Sequence, residues 1–131
     1  MNTGARVLVV SRDEMLLQTR KLILGAFFEV EAAGRVPEAE SMMAERTFDL
    51  IVLCYSLADD EYAKMVDLAK RQDPQPKILT LNSVGSHHNN RSGTNQVLMT
   101  ENGPYALLKK ASEMLGFRMK GSGQMTPTTA V

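Results

Sequence analysis

Short apolar runs alternate with segments of helical periodicity along most of the chain. Residues 7–10, Val-Leu-Val-Val, are continuously apolar and largely β-branched, which is typical of a strand buried on both faces of a parallel sheet. A similar run ends at Leu53, and residues 27–32 alternate between apolar and polar. The pattern predicts five strands, at residues 6–10, 27–32, 49–53, 78–81 and 97–99.

The first helical segment follows the first strand directly. Ser11 with Glu14 three residues later fits a capping box, so a helix is expected to begin at Ser11, and Gly25 supplies a stop. Its apolar positions recur at helical spacing, which predicts the face that is buried against the sheet. These positions are Met15, Leu16, Thr19, Leu22 and Ile23.

Three further helices are predicted from the residues of their first turns. Pro37 suits the first turn of the second helix, and the negative charge of residues 59–61 suits the start of the third. The final helix is expected from Pro104 to about Leu115. Its apolar stripe consists of Leu107, Leu108, Ala111 and Leu115, and Met114 is a candidate for an adaptable surface contact.

Strands that alternate with helices predict an α/β fold, a doubly wound five-stranded parallel sheet with helices on both faces. Residues 82–96 are dominated by Gly, Ser, Asn and His, so the helix between the fourth and fifth strands is expected to be short or replaced by a loop. Residues 1–116 are expected to form one domain. After Gly116, the stretch from Gly121 to Thr129 lacks core-forming residues, and residues 117–131 are expected to form a flexible C-terminal tail.

Composition narrows the class of protein. A chain of 131 residues is long enough for one hydrophobic core. It carries 15 basic and 15 acidic residues, so bulk charge supports neither nucleic-acid binding nor attachment to an anionic membrane. The single cysteine cannot form an internal disulfide, and no apolar run approaches the roughly 20 residues of a membrane span. We therefore expect a cytoplasmic protein.

Three strand motifs in this order resemble the receiver domains of two-component response regulators, over residues 6–116. The motifs are Val-Leu-Val-Val at 7–10, Phe-Phe-Glu-Val-Glu-Ala at 27–32 and Phe-Asp-Leu-Ile-Val-Leu at 48–53. The resemblance implies a flavodoxin-like, receiver-type fold and a place in phosphorelay signal transduction. In that family an aspartate accepts a phosphoryl group, an acidic pair after the first strand holds a magnesium ion, and a lysine after the fifth strand pairs with the phosphoryl group.

The chain departs from the family at each of those positions. Cys54 occupies the place of the phosphoacceptor aspartate, and a thiol is a poor ligand for a hard divalent cation. Arg12, at the acidic pair, offers only donors and cannot bind a metal. The hydroxyl residue that closes the fourth strand aligns nearest Leu81, with Thr80 or Ser83 as alternatives. The degenerate phosphorylation-site positions are therefore Ser11, Arg12, Cys54, Leu81 and, at the lysine position, Thr100.

Loss of the acceptor, the acidic pair and the lysine predicts a pseudo-receiver that is not phosphorylated, is not an enzyme and uses no metal or cofactor. The adjacent His87 and His88 likewise lack the spacing of a metal site. Such a module would bind a protein, either a signalling partner such as a histidine kinase or an effector, or a second copy of itself in a homodimer. The resemblance implies an interaction face that contains Val97, Tyr105, Leu108, Lys109 and Glu113.

Three alternatives stay open. In a conventional response regulator with a shifted acceptor, Asp59 or Asp60 would take the phosphoryl group. In the second alternative, Cys54 is a thiol sensor, because Arg12 in the neighbouring loop favours its thiolate. In the third, the pocket left at the carboxyl edge of the sheet by the loss of the phosphorylation site binds a small ligand. Arg12 itself is expected to be solvated or to pair with Asp13, Asp59 or Asp60.

Overall fold

The computed structural model describes residues 4–84, 93–119 and 125–127. Five parallel strands form one sheet in the order β2-β1-β3-β4-β5, which confirms the predicted doubly wound α/β fold. Because β1, β3 and β4 are central, their apolar runs are covered from both sides. The strands are β1 (Arg6–Val10), β2 (Glu29–Ala33), β3 (Leu50–Leu53), β4 (Lys77–Asn82) and β5 (Gln96–Met99).

Helices cover both faces of this sheet. Leu8 and Ile51 are buried beneath the second and third helices, whereas Val9 and Val52 are buried beneath the first and the last. Within the described residues, none of the helices combines the length and apolar character that crossing a bilayer requires. The helices are α1 (Glu14–Gly25), α2 (Val36–Glu45), α3 (Asp59–Lys70) and α4 (Pro104–Met114), with a 3₁₀ turn at Thr100–Asn102.

The first helix begins later than its sequence predicts. Its N-cap is Asp13, whose side chain accepts a hydrogen bond from the Leu16 amide at 3.1 Å. The Ser11 hydroxyl instead lies 3.0 Å from the hydroxyl of Ser56 in the loop after β3. The predicted capping box at Ser11 is therefore wrong, because a contact between two loops uses the side chain that would have formed it.

The buried face of α1 also differs from the predicted stripe. Leu17, Arg20 and Leu24 are buried, whereas Met15 is 79% and Leu22 is 78% exposed. Apolar residues lie on more than one side of this helix, so periodicity alone could not select the side that meets the sheet. As a consequence, an arginine is buried on the inner face of α1.

The last helix packs on the sheet beside α1. Leu107 and Ala111 are buried as predicted. Met114 is buried as well, since it lies three residues after Ala111 and seven after Leu107 on the same helical face. Its interpretation as an adaptable surface contact is therefore wrong.

The segment between β4 and β5 is described only at its two ends, residues 83–84 and 93–95. Neither end is helical, and the rest, with His87 and His88, lies outside the described residues. The later end is fixed to β4, because the side-chain oxygen of Asn95 accepts a hydrogen bond from the amide of Ile78 at 2.7 Å. This hydrogen bond holds the chain against β4 at the point where β5 begins.

A two-stranded antiparallel sheet follows α4. Its strands are β6 (Phe117–Met119) and β7 (Met125–Pro127). The ring centroid of Phe117 lies 6.3 Å from that of the buried Phe28, so β6 begins against the core. The predicted domain limit at residue 116 and the predicted flexible tail over 117–131 stay predictions.

Replacing Gly93 by alanine is expected to lower the free energy of unfolding by about 2–4 kcal/mol, through overpacking and backbone strain. A Cβ at Gly93 would lie 2.5 Å from Cγ1 of Val66 in α3, and the φ of Gly93 is +88°. Chemical denaturation followed by circular dichroism measures the loss. Gly116→Ala is the matched control, because its φ is +82° but nothing lies within 4 Å of its Cβ position. Equal losses in the two variants would contradict the contact with Val66.

Candidate functional site

The candidate site lies at the carboxyl edge of the sheet, where open α/β folds place their ligands. Val10 pairs with Leu53 and Leu53 pairs with Thr80, so the next residues of the three strands come to the same level. Those residues are Ser11, Cys54 and Leu81. Ser11 and Cys54 are both fully buried.

Two serines tie the loop after β1 to the loop after β3. Ser11 Oγ lies 3.0 Å from Ser56 Oγ, and the backbone amide of Arg12 donates to Ser56 Oγ at 2.9 Å. The amide of Asp13 lies 3.2 Å from Ser11 Oγ and donates to it. Hydroxyl and amide groups therefore hold these loops together directly, at the positions where the resemblance places an acidic pair.

The side chain of Arg12 points away from Cys54 and towards α3. Its Nη1 lies 3.0 Å from Oε2 of Glu61, and the other oxygen of Glu61 accepts a hydrogen bond from the amide of Ala58 at 2.9 Å. The ion pair was expected with Asp13, Asp59 or Asp60. Glu61 is its partner because a carboxylate at the third position of a helix bends back over the N-terminus, where Arg12 reaches it.

A different arginine lies near Cys54. Burial raises the pKa of the Cys54 thiol, and this effect outweighs the charge of Arg20 and the polar contacts with Ser11 and Arg20, which lower that pKa. Cys54 is therefore a neutral thiol at neutral pH. The expectation that Arg12 would favour its thiolate is wrong, since Arg12 is paired with Glu61 and the nearby cation is Arg20.

Leu81 and Thr100 line a cavity and do not belong to the contacts of Ser11 and Ser56. The cavity has a volume of about 330 Å³ and lies between α1, α4 and the ends of β4 and β5. Leu81 is buried in the core, and β4 continues one residue beyond it to Asn82. The side chains of Arg20 and Tyr55 also line the cavity, and the guanidinium carbon of Arg20 lies 5.8 Å from the centre of the Tyr55 ring.

The carboxylate of Glu101 joins the loop after β4 to the loop after β5. Oε2 of Glu101 accepts hydrogen bonds from the hydroxyl of Ser83 at 2.7 Å and from the amide of Val84 at 3.1 Å. The hydrogen bond from Ser83 is the main cause that lowers the pKa of Glu101 below its ordinary value. Thr100 thus stands where the resemblance places a lysine, and the neighbouring Glu101 holds the loops together with its carboxylate.

The side chains at this edge do not fit a magnesium ion. Magnesium needs oxygen ligands in octahedral geometry, with one or two carboxylates among them. Among the described residues, no three His, Cys, Asp or Glu side chains lie close enough to hold a metal ion. Ser11 and Arg12 occupy the acidic-pair positions, and the charge of Arg20 beside Cys54 would repel a cation.

Known structures place the fold among response-regulator receiver domains. A CheY-like receiver domain protein from Methanospirillum hungatei JF-1 is similar with a TM-score of 0.73 and 26% identity, over 86% of this chain and 94% of that one. For chemotaxis response regulator CheY4 of Vibrio cholerae the values are 0.71 and 22%, over 86% and 99%. For the receiver domain of the Francisella response regulator 1452 they are 0.71 and 17%, over 86% and 97%. Neither a protein-family model nor a curated protein matches the chain.

The chain therefore has the CheY-like receiver fold. Sequence reasoning placed Ser11, Arg12 and Cys54 at the correct edge of this fold. It missed Arg20, although Arg20 lies three residues after Leu17 and so shares its helical face. It also missed the residues whose side chains make the contacts between loops, which are Ser56, Glu61 and Glu101.

Ser56→Ala is expected to destabilise the protein more than Arg12→Ala. Removing the Ser56 hydroxyl leaves the Arg12 amide and the buried Ser11 hydroxyl without that partner, which costs about 1–2 kcal/mol. The Arg12 side chain is 52% exposed, so loss of its ion pair with Glu61 should cost at most about 1 kcal/mol. Thermal and chemical unfolding of the two variants measures the difference. The reverse order would contradict the role of the serine pair.

Cys54 is expected to react with a chromogenic disulfide only after denaturation, because its thiol is buried and its pKa is raised above the ordinary value of 9.0. The unfolded chain ionises this thiol near pH 9.0, whereas the folded chain keeps it protonated. Stability should therefore be unaffected below that pH and fall as pH rises through it. Cys54→Ala is the control and should remove this part of the pH dependence. Rapid labelling of the native protein would support the thiol sensor instead.

Proposed function

We propose that this chain is a receiver-like signalling module that binds a protein and does not accept a phosphoryl group. The observation that carries the proposal is the chemistry at the carboxyl edge of the sheet. Cys54 lies at the position of the acceptor, with the cation of Arg20 near it and hydroxyl groups beside it. Formation of an acyl phosphate needs a carboxylate there, together with a bound metal ion that spreads the charge on the phosphoryl oxygens.

Direct contacts between the loops support a receiver with one fixed state. The Ser11–Ser56 contact joins the loops after β1 and β3, and the bonds from Ser83 and Val84 to Glu101 join the loops after β4 and β5. In a protein that switches between two conformations, a ligand shifts the equilibrium only if it binds one conformation more tightly than the other. Here the contacts that hold the loops are internal to the chain, so the arrangement does not depend on an added group.

The interaction face proposed for this module lies along β5 and α4. β5 is the last strand of the sheet, and an edge strand has unpaired backbone groups that a partner can use. Tyr105 is 63% exposed and Val97 is 47% exposed, so both side chains are accessible to a partner. Leu108 is partly buried, and Lys109 and Glu113 are exposed beside them. The partner is a signalling protein such as a kinase or an effector, or a second copy of this chain.

Asp59 and Asp60, the two alternative acceptors, are poorly placed for phosphoryl transfer. Asp59 and Asp60 are the first two residues of α3, where negative charge stabilises the positive end of the helix dipole. Both are exposed. Neither belongs to a cluster of metal-binding side chains among the described residues. An acceptor at this helix terminus would lack the cation that the reaction requires.

Incubation with acetyl phosphate and magnesium is expected to leave the intact mass of the protein unchanged, because no carboxylate replaces the acceptor at Cys54. Light scattering during size-exclusion chromatography should detect self-association that acetyl phosphate does not alter. Tyr105→Glu should weaken this self-association, because it places a charge in the proposed face. Leu22→Glu is the matched control, since Leu22 is a similarly exposed apolar residue on α1.

A phosphorylatable receiver domain treated in parallel shows that the reagent is active. A phosphoryl adduct that disappears in the Asp59→Asn, Asp60→Asn double variant would establish the shifted acceptor and overturn the proposal. A monomer at every concentration would exclude a second copy as the partner of this face. Equal effects of Tyr105→Glu and Leu22→Glu would show that the face does not lie on β5 and α4.

A further inference from the structure

The cavity between α1 and α4 has the properties of a binding site for a small molecule. Its volume of about 330 Å³ falls at the lower end of the range of ligand pockets. Exposed residues at its rim, Thr19 and Pro104, give it access to solvent. Its lining is mainly apolar and includes Leu16, Ile23, Leu81, Leu98 and Leu107.

Arg20 is the single charged side chain among the residues that line this cavity. It is only 6% exposed, and an arginine keeps its charge at all accessible pH values. Its Nη1 is buried and has no hydrogen-bond partner among the described residues, and none of the ion pairs in the described part of the chain involves Arg20. A buried cation without an anion is unfavourable, so the site is suited to a ligand that supplies one.

The neighbours of Arg20 do not supply that anion. The Tyr55 ring offers its face to the guanidinium, but this contact does not neutralise the charge. The Cys54 thiol is fully buried and stays protonated at neutral pH. Arg20 therefore lines an apolar cavity, and no carboxylate among the described residues forms an ion pair with it.

We propose that the cavity binds a monocarboxylate with an apolar body, whose carboxylate pairs with Arg20. The planar guanidinium matches a carboxylate in a two-point contact, and the apolar lining suits a hydrocarbon chain or ring. A dicarboxylate or an inorganic phosphate fits less well, because its second charge or its whole surface would face apolar side chains.

The cavity shares β5 and α4 with the proposed interaction face, but none of the five residues named for that face lines it, so this inference does not rest on the proposed function. The probes are octanoate, the uncharged octanol, the dicarboxylate octanedioate and inorganic phosphate, added to the full chain and followed by isothermal titration calorimetry. Octanoate is expected to bind at least about tenfold more tightly than each of the other three. Binding should also raise the thermal unfolding temperature of the protein.

Arg20→Met keeps an unbranched side chain with an apolar stem and removes the charge. It should weaken octanoate binding to the level of octanol and should raise the unfolding temperature of the free protein, because the uncompensated cation is gone. Arg46→Met is the matched control, since Arg46 pairs with Glu31 on the surface and does not line the cavity. It should leave octanoate binding unchanged.

Ile23→Phe fills part of the cavity while Arg20 is kept, so it should weaken both octanoate and octanol. This variant tests the site even if Arg20→Met does not fold. The proposal is overturned if octanoate binds no more tightly than octanol or phosphate. It is also overturned if Arg20→Met and Arg46→Met weaken octanoate equally, or if Ile23→Phe leaves binding unchanged. None of these outcomes bears on whether the chain accepts a phosphoryl group.

Discussion

Burial of the central strands on both faces is the constraint on which the rest of the structure depends. β1 and β3 are apolar at almost every position, so each needs a helical layer above and below the sheet. The two layers, α1 with α4 and α2 with α3, meet that need with side chains that alternate along each strand. This packing sets Ser11 and Cys54 side by side at the edge of the sheet, whatever chemistry their side chains carry.

At that edge, hydrogen bonds within the chain join the loops. Ser11 contacts Ser56 between the loops after β1 and β3, and Glu101 accepts a hydrogen bond from Ser83 between the loops after β4 and β5. Arg12 adds an ion pair with Glu61 at the start of α3. These contacts hold the loops at the edge of the sheet to one another through groups of the chain itself.

Arg20 connects this edge to the cavity. It lies near the Cys54 thiol on one side and lines an apolar space on the other. The thiol cannot act as its counter-ion, because burial favours the protonated form more strongly than the arginine favours the thiolate. The fold therefore holds a fixed positive charge in an apolar setting. Such charges are rare in protein interiors unless another group pairs with them.

The sequence by itself determined the five-stranded parallel sheet, the helices on both of its faces and the edge at which Cys54 lies, because these follow from apolar runs and their spacing; the order of the strands came from the structure. It could not determine which side of α1 faces the sheet, because Met15, Leu17, Leu22 and Leu24 offer more than one apolar face. Only the tertiary structure decided that Leu17 and Leu24 turn inwards, and Arg20 is buried with them. The contacts of Ser56, Glu61 and Glu101 likewise join loops far apart in sequence, so no local pattern specifies them.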